Sequence, residues 1–191
     1  MSEVIKFNTE ELAKVIPSQP EQIQIFDLVP EDHYVLKKVL PEFDFDNPPV
    51  NPTEFASSLV ETCKHNKGIG LSANQCGFEY RVFVMGANND YVAFFNPKII
   101  SKSMNETHMI EGCLSFPLLG LRITRPESIA VEYQDYKGEK REATFYGLSA
   151  RCFQHEMDHM DGIIFTQRVK TLALALGLKK RKKLARKIKL K

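Results

Sequence analysis

The sequence predicts an α+β fold, and three observations carry that reading. The chain has 191 residues, 43% of them hydrophobic, which is enough to bury one sizeable core and short for two domains. Apolar residues recur first at helical spacing, then in runs and alternations typical of strands, then again at helical spacing. Turn signals inside the strand region, Asn88-Asn89-Asp90 and Lys137-Gly138, join neighbouring strands as antiparallel hairpins. Strands grouped together and followed by a helix fit α+β better than an alternating βαβ order.

In chain order, residues 1–22 read as an N-terminal extension, with a short helical candidate at Asn8-Thr9-Glu10-Glu11-Leu12 cut off by Pro17 and Pro20. Between Ile23 and Pro52, a run of Pro, Asp and Asn (Pro41, Asp44, Asp46, Asn47, Pro48, Pro49) indicates turns and extended chain. A helix then starts with Asn51 as N-cap, Pro52 in the first turn and Glu54 at the positive end of the dipole. Phe55, Leu59 and Cys63 form its apolar face, and Gly68 is its expected stop. Strands are expected at Arg81-Val82-Phe83-Val84-Met85, Val92-Ala93-Phe94-Phe95, Ser128-Ile129-Ala130-Val131-Glu132-Tyr133 and Ala143-Thr144-Phe145. A second helix runs from Ser149 to Met160, with Phe153, Met157 and Met160 as apolar positions and Gly162 beyond its end. The domain proper spans 23–170, and 171–191 is a basic helical tail.

The formal charge of +2 averages two unlike parts. Nine cations (Lys179, Lys180, Arg181, Lys182, Lys183, Arg186, Lys187, Lys189, Lys191) and no acid fall in the last thirteen residues; the remainder has 17 bases against 24 acids, about −7. The first residues resemble neither an export signal nor a transit peptide, and no apolar stretch approaches the roughly 20 residues that span a bilayer, so a cytoplasmic location is expected. Cys63, Cys76, Cys113 and Cys152 are irregularly spaced without Cys-x-x-Cys, which does not suggest a disulfide framework. Cys63 shares helical spacing with Phe55 and Leu59 and reads as a core residue; Cys76 and Cys152 stay open.

Gln154-His155-Glu156-Met157-Asp158-His159 contains H-E-x-x-H. On a helix, His155 and His159 lie on one face and can chelate one metal ion, while Glu156 reaches its bound water. A catalytic site of this kind needs a third protein ligand. After His159 there is no His and, apart from Asp161, no acid, so the ligand must come from upstream. Cys113, in Glu111-Gly112-Cys113-Leu114-Ser115 after an irregular stretch, is the best candidate. Gly68-Ile69-Gly70-Leu71-Ser72-Ala73-Asn74-Gln75 is a poor phosphate cradle, lacking the P-loop Lys and the third Gly of a dinucleotide fingerprint. Its glycine-exposed backbone suits pairing with an extended peptide.

Together and in this order, these three segments resemble the signature motifs of peptide deformylases, over roughly Ile23 to Val169. The resemblance implies a deformylase-like fold, with antiparallel sheets around a central helix carrying H-E-x-x-H. It also implies hydrolytic removal of the formyl group from the formyl-methionine of newly made polypeptides. Metal ligands would be Cys113, His155 and His159, and Glu156 the general base. Gln75 and the backbone N–H of Leu114 would hold the oxyanion. Ile69, Gly70 and Gly112 would pair with the substrate strand, and Leu148, Arg151, Cys152 and His155 would form the methionine pocket, with the Arg151 stem as wall and its guanidinium in water. Glu111 and Asp158 would be supporting partners, Glu111 of Arg122 or Arg125. Ser72 stands where the family usually has Ala, a change expected to bear on packing more than chemistry.

Ligand type alone favours Zn²⁺ over Fe²⁺; the resemblance implies Fe²⁺, one ion per chain, with Zn²⁺, Ni²⁺ or Co²⁺ able to substitute. Another H-E-x-x-H metallo-amidase or metallopeptidase, and a non-catalytic ribosome-binding module, are the competing readings. In the tail, Leu178, Leu184, Ile188 and Leu190 permit a helix with a narrow apolar stripe, and the basic residues favour contact with ribosomal RNA. A membrane surface would read similarly.

Overall fold

The computed structural model describes residues 23–88 and 90–189; the expected N-terminal helix and Leu190 lie outside them. The extended stretch after Ile23 includes one short 3-10 turn, Tyr34–Lys37. Helix α1 spans Pro52–His65, and the Asn51 side chain accepts from the N–H groups of Thr53 and Glu54 at 3.0 and 3.2 Å. Its left-handed terminal residue is Lys67 (φ 57°), one position before the expected stop. Gly68 is needed for another reason: a Cβ there would sit 2.7 Å from Leu114.

Strands β1 (Gly70–Ser72), β2 (Val82–Ala87), β3 (Asp90–Lys102), β6 (Ser128–Gln134) and β7 (Lys140–Tyr146) form one antiparallel sheet in the order β1-β2-β3-β6-β7. A separate hairpin pairs β4 (Glu106–Glu111) with β5 (Leu121–Pro126). The stretch before Cys113 is therefore strand rather than irregular chain. Its alternation escapes sequence reading because the inward residues, Thr107, Met109 and Glu111, are mostly not apolar.

β2 and the first half of β3, Tyr91 to Pro97, are buried on both faces, which is why they read as continuous apolar runs. Val82, Val84, Tyr91, Ala93 and Phe95 pack with α1, whereas Phe83, Met85, Val92 and Phe94 pack with helix α2, Gly147–Met160. The hairpin covers the other side of α2, so every residue from Ser149 to Met160 is buried. Phe153 anchors the helix, its ring 4.9, 5.2 and 5.4 Å from those of Phe83, Phe94 and Phe145. Beyond α2, Gly162 takes φ 68° with the Lys37 carbonyl 2.6 Å from where a Cβ would stand, a conformation and a space that only glycine fits.

Helix α3, Thr171–Lys189, buries no residue fully. It leans on the body through Leu174 and through Gly177, which lies against Leu119 and Leu121. Arg181 donates to the Pro117 carbonyl (2.9 Å) and pairs with Glu31 (2.6 Å). None of the described helices is long and apolar enough to cross a membrane.

Since α2 is seated by an aromatic cluster, Phe153→Ala should cost about 3–5 kcal/mol in urea unfolding. A loss under about 1 kcal/mol would contradict this packing.

Candidate active site

α2 presents His155 and His159 one turn apart on the same face, while the chain leaving β4 carries Cys113 up to them. One ligand atom from each of the three lies within 4.8 Å of the others, and Cys113 Sγ is 3.3 Å from His159 Nε2. Among the described residues, this is the only group of three or more His, Cys, Asp or Glu side chains arranged to hold a metal ion. Cys63 belongs to the core under α1, as its spacing suggested. Burial pushes the Cys76 thiol up to about 12 and the Cys152 thiol well above the usual range, so neither offers a ready thiolate.

The two imidazoles differ in protonation: His159 is already in the neutral, ligating form, whereas His155 holds a proton that a divalent ion would have to displace. Burial opposes a charge on His155, but contacts with Cys113 and Glu111 outweigh it and push the imidazole up to about 10. His155 Nδ1 lies 3.1 Å from Glu111 Oε2, so the N–H points at the carboxylate and leaves Nε2 for a ligand bond. His159 is held well below its ordinary value by burial, with His155 and Arg125 adding to it; a neutral imidazole is the ligating form. One thiol and two imidazoles converging in this way fit a metal with an open coordination position.

Glu111 is the hub behind the ligands. It accepts from Arg125 Nε and Nη2 (2.7 and 2.9 Å) and from Arg151 Nη1 (2.6 Å) as well as from His155. Although burial pushes it up, the bonds from His155 and Arg125 prevail and hold its carboxyl at about 2. Arg125 continues to Asp158 (2.9 Å), which Arg168 grips from the far side. Of the two arginines anticipated for Glu111, Arg122 points outward and donates instead to the His108 carbonyl. The Arg151 guanidinium does not reach water. It is spent on Glu111, the Ile123 carbonyl and Thr107, because an unpaired cation at that depth would be costly.

Glu156 is buried, which raises its carboxyl above the usual range, while His155, the Ser72 hydroxyl and Arg125 pull it back. Ser72 Oγ donates to Glu156 Oε2 at 2.6 Å, so this position contacts the glutamate of H-E-x-x-H and is not a matter of packing alone. No signal in the sequence could show this contact, which joins residues 84 apart in the chain. The 3-10 turn after β1, Ala73–Cys76, brings in Gln75. Its Oε1 accepts the Ser72 N–H (2.9 Å), which turns Nε2 toward Cys113 Sγ (3.3 Å) and Ser115 Oγ (3.0 Å).

All of this opens into a cleft of about 540 Å³. Its lining includes Gln75, Cys113, Leu114, His155 and Glu156 together with Ile69, Gly70, Gly112, Leu148, Arg151 and Cys152; His159 lies behind it, fully buried. Asn66, Lys67, Ile110, Pro117 and Leu118 also line it, and sequence reading passed over them. For Ile110 and Leu118 a signal exists, large apolar side chains left in solvent at 62% and 46% exposure.

The folded-state value of Glu111 lies below its ordinary 4.5. Its contribution to stability is therefore complete above about pH 4.5 and is lost as pH falls toward 2. Glu111→Gln should lower the urea midpoint at neutral pH by the equivalent of roughly 3 kcal/mol, as Arg125 and Arg151 lose a buried partner. It should also flatten the acid limb of the stability curve; an unchanged acid limb would count against the hub.

Comparison with known proteins bears on the same residues. The family model for polypeptide deformylase matches residues 25–174. A peptide deformylase from Thermotoga petrophila is 37% identical over 158 residues, 83% of this chain and 94% of the relative. Among solved structures, a peptide deformylase from Legionella pneumophila aligns with TM-score 0.75 and 29% identity over 87% of this chain and 99% of its own. A Met-Ala-Ser complex of the Acinetobacter baumannii enzyme aligns with TM-score 0.73 and 26% identity, over 78% and 100%. A match that runs from before α1 into α3 and takes in all three segments of the cleft leaves one conclusion: the chain belongs to the polypeptide deformylase family.

Proposed function

We propose that this protein hydrolyses the N-terminal formyl-methionine of newly made polypeptides, releasing formate and a free amine. The observation that carries the reading is the convergence on one cleft of the Cys113, His155 and His159 cluster, the buried Glu156 and the Gln75 amide. Family membership supports it, and the Met-Ala-Ser tripeptide held by the Acinetobacter relative is what deformylation of a formylated Met-Ala-Ser would leave.

When bound at Cys113, His155 and His159, a divalent metal ion supplies Lewis acidity, which lowers the pKa of water and polarises the formyl oxygen. The protein's own groups do the rest. Glu156 takes the proton of the attacking water, a transfer favoured by a carboxyl that burial has made more basic than usual. As charge develops on the formyl oxygen, Gln75 Nε2 and the Leu114 N–H donate to it; Gln75 is already aimed by its bond from Ser72. Glu156 then returns the proton to the departing amine. Glycine at position 70 leaves room for this carboxylate, since a Cβ there would lie 2.4 Å from Glu156 Oε1. β1 is an edge strand, so Ile69 and Gly70 can pair with an extended substrate opposite Gly112 while the methionine side chain enters between Leu148, Arg151 and Cys152.

The native ion is proposed to be Fe²⁺, with Zn²⁺, Ni²⁺ or Co²⁺ able to replace it. A cytoplasmic location is proposed, in keeping with a substrate that emerges from ribosomes. The basic half of α3 is proposed to contact ribosomal RNA, supported by its eight cations and exposed face. A cut after Leu178 would also remove Arg181 and its hold on Pro117, which lines the cleft. The cleaner cut falls after Arg181.

Fe²⁺- or Ni²⁺-loaded protein should release formate from formyl-Met-Ala-Ser, and cleavage of only the unformylated peptide would favour the metallopeptidase reading. Gln75→Ala should lower kcat by about 10² to 10³ while keeping one ion per chain; Glu156→Ala with normal formate release would defeat the mechanism. Removing residues 182–191 should abolish salt-sensitive cosedimentation with ribosomes and leave turnover of short peptides within about two-fold. Unchanged sedimentation would overturn the RNA contact.

A further inference from the structure

Glu156 has a long side chain and needs one orientation, with one oxygen facing the reacting water. Among the described residues, only one group donates a hydrogen bond to its carboxylate, the hydroxyl of Ser72, at 2.6 Å from Oε2. Ser72 is fully buried, and the same hydroxyl lies 3.5 Å from the Glu156 carbonyl, so it touches the helix at both the main chain and the side chain of one residue. Strand geometry explains the placement. Residues two apart on β1 face the same way, so Gly70 and Ser72 both point at Glu156 while Leu71 turns into the core under α1. Oε1 faces Gly70, which has no side chain to displace it, and Gly70 lines the cleft. The two oxygens are thus divided, one tied to Ser72 and one left toward the substrate.

From this division we infer that Ser72 is a positioning residue for the reaction, its hydroxyl fixing the Glu156 carboxylate so that Oε1 remains directed into the cleft. The inference rests on Glu156 serving as the base. A displacement of about 1 Å in a proton acceptor is enough to cost up to two decades in rate, and a bond from a neutral hydroxyl to a buried carboxylate is strong enough to hold such a group. Ser72 also holds Gln75, but through its backbone N–H, which any replacement keeps. Removing the hydroxyl therefore separates the two attachments and leaves the Gln75 amide aimed as before.

The test compares metal-loaded protein with its Ser72→Ala variant. The variant should hold one ion per chain, melt within a few degrees of the unaltered protein and keep KM within about two-fold, while kcat falls about tenfold. Its crystal structure should show the Glu156 carboxylate turned away from its anchored position. If the alanine variant melts much lower, Ser72→Cys replaces it, since a thiol is of similar size and donates weakly; reduced kcat at an unaltered melting temperature is again the expected result. An unchanged kcat overturns the inference, and so does a carboxylate that stays in place whatever the rate. Inactivity of the unaltered protein on formyl-Met-Ala-Ser would instead defeat the deformylase reading, and the carboxylate position would still decide whether Ser72 anchors it.

Discussion

The contact between Glu111 and its three donors is the constraint on which the rest of the site depends. A carboxylate at that depth is tolerable only if its lone pairs are filled, and the donors come from different elements: Arg125 from β5, Arg151 and His155 from α2. The hairpin and α2 can therefore meet in one relative position, the one that satisfies all of these bonds. That position also sets where Cys113 arrives, because Cys113 follows Glu111 by two residues. Cys113 is thus placed by the same carboxylate that orients His155. Such a network adds little net stability compared with apolar packing of the same volume, and its value lies in fixing a single geometry.

Much of this was legible in the sequence, and the exceptions have physical causes. His155, Glu156 and His159 could be read together because a helix converts a spacing of four into a shared face, and Cys113 because no later residue could complete the set. β2 and the first half of β3 were legible as apolar runs, since both faces are buried there. β4 was not, because its inward face bears Thr107, Met109 and a charged Glu111. β1 is only three residues long and has no periodicity to show. The choice between Arg122 and Arg125 was open to sequence reasoning in principle, since Leu121, Ile123 and Arg125 alternate with exposed positions. Arg151 misled because a long basic side chain is expected to send its charge to water, and the sequence does not show that a carboxylate waits inside.

α2 inverts the usual helix. It is buried all round, yet Gln154, His155, Glu156, Asp158 and His159 are polar. It can be so because the sheet side takes its aromatic and aliphatic residues, while the hairpin side supplies arginines and carbonyls for the polar ones. The hydrophobic core and the polar cluster of the cleft thus share one rod of fourteen residues, and rigidity gained by packing Phe153 is delivered directly to Glu156.

α3 divides at Arg181 into a part that rests on the body and a part that stands clear of it. The free part, from Lys182 to Lys189, is about 12 Å long at 1.5 Å per residue. It grows from a point braced against Pro117, on the rim of the cleft. Any surface that grips those lysines is consequently held at a short, nearly fixed distance from the entrance, one that an extended peptide covers in about four residues. Were the proposed ribosomal contact made there, the tail would work as a gauge: it would set how much of a growing chain must be in the open before its first residue could reach Glu156.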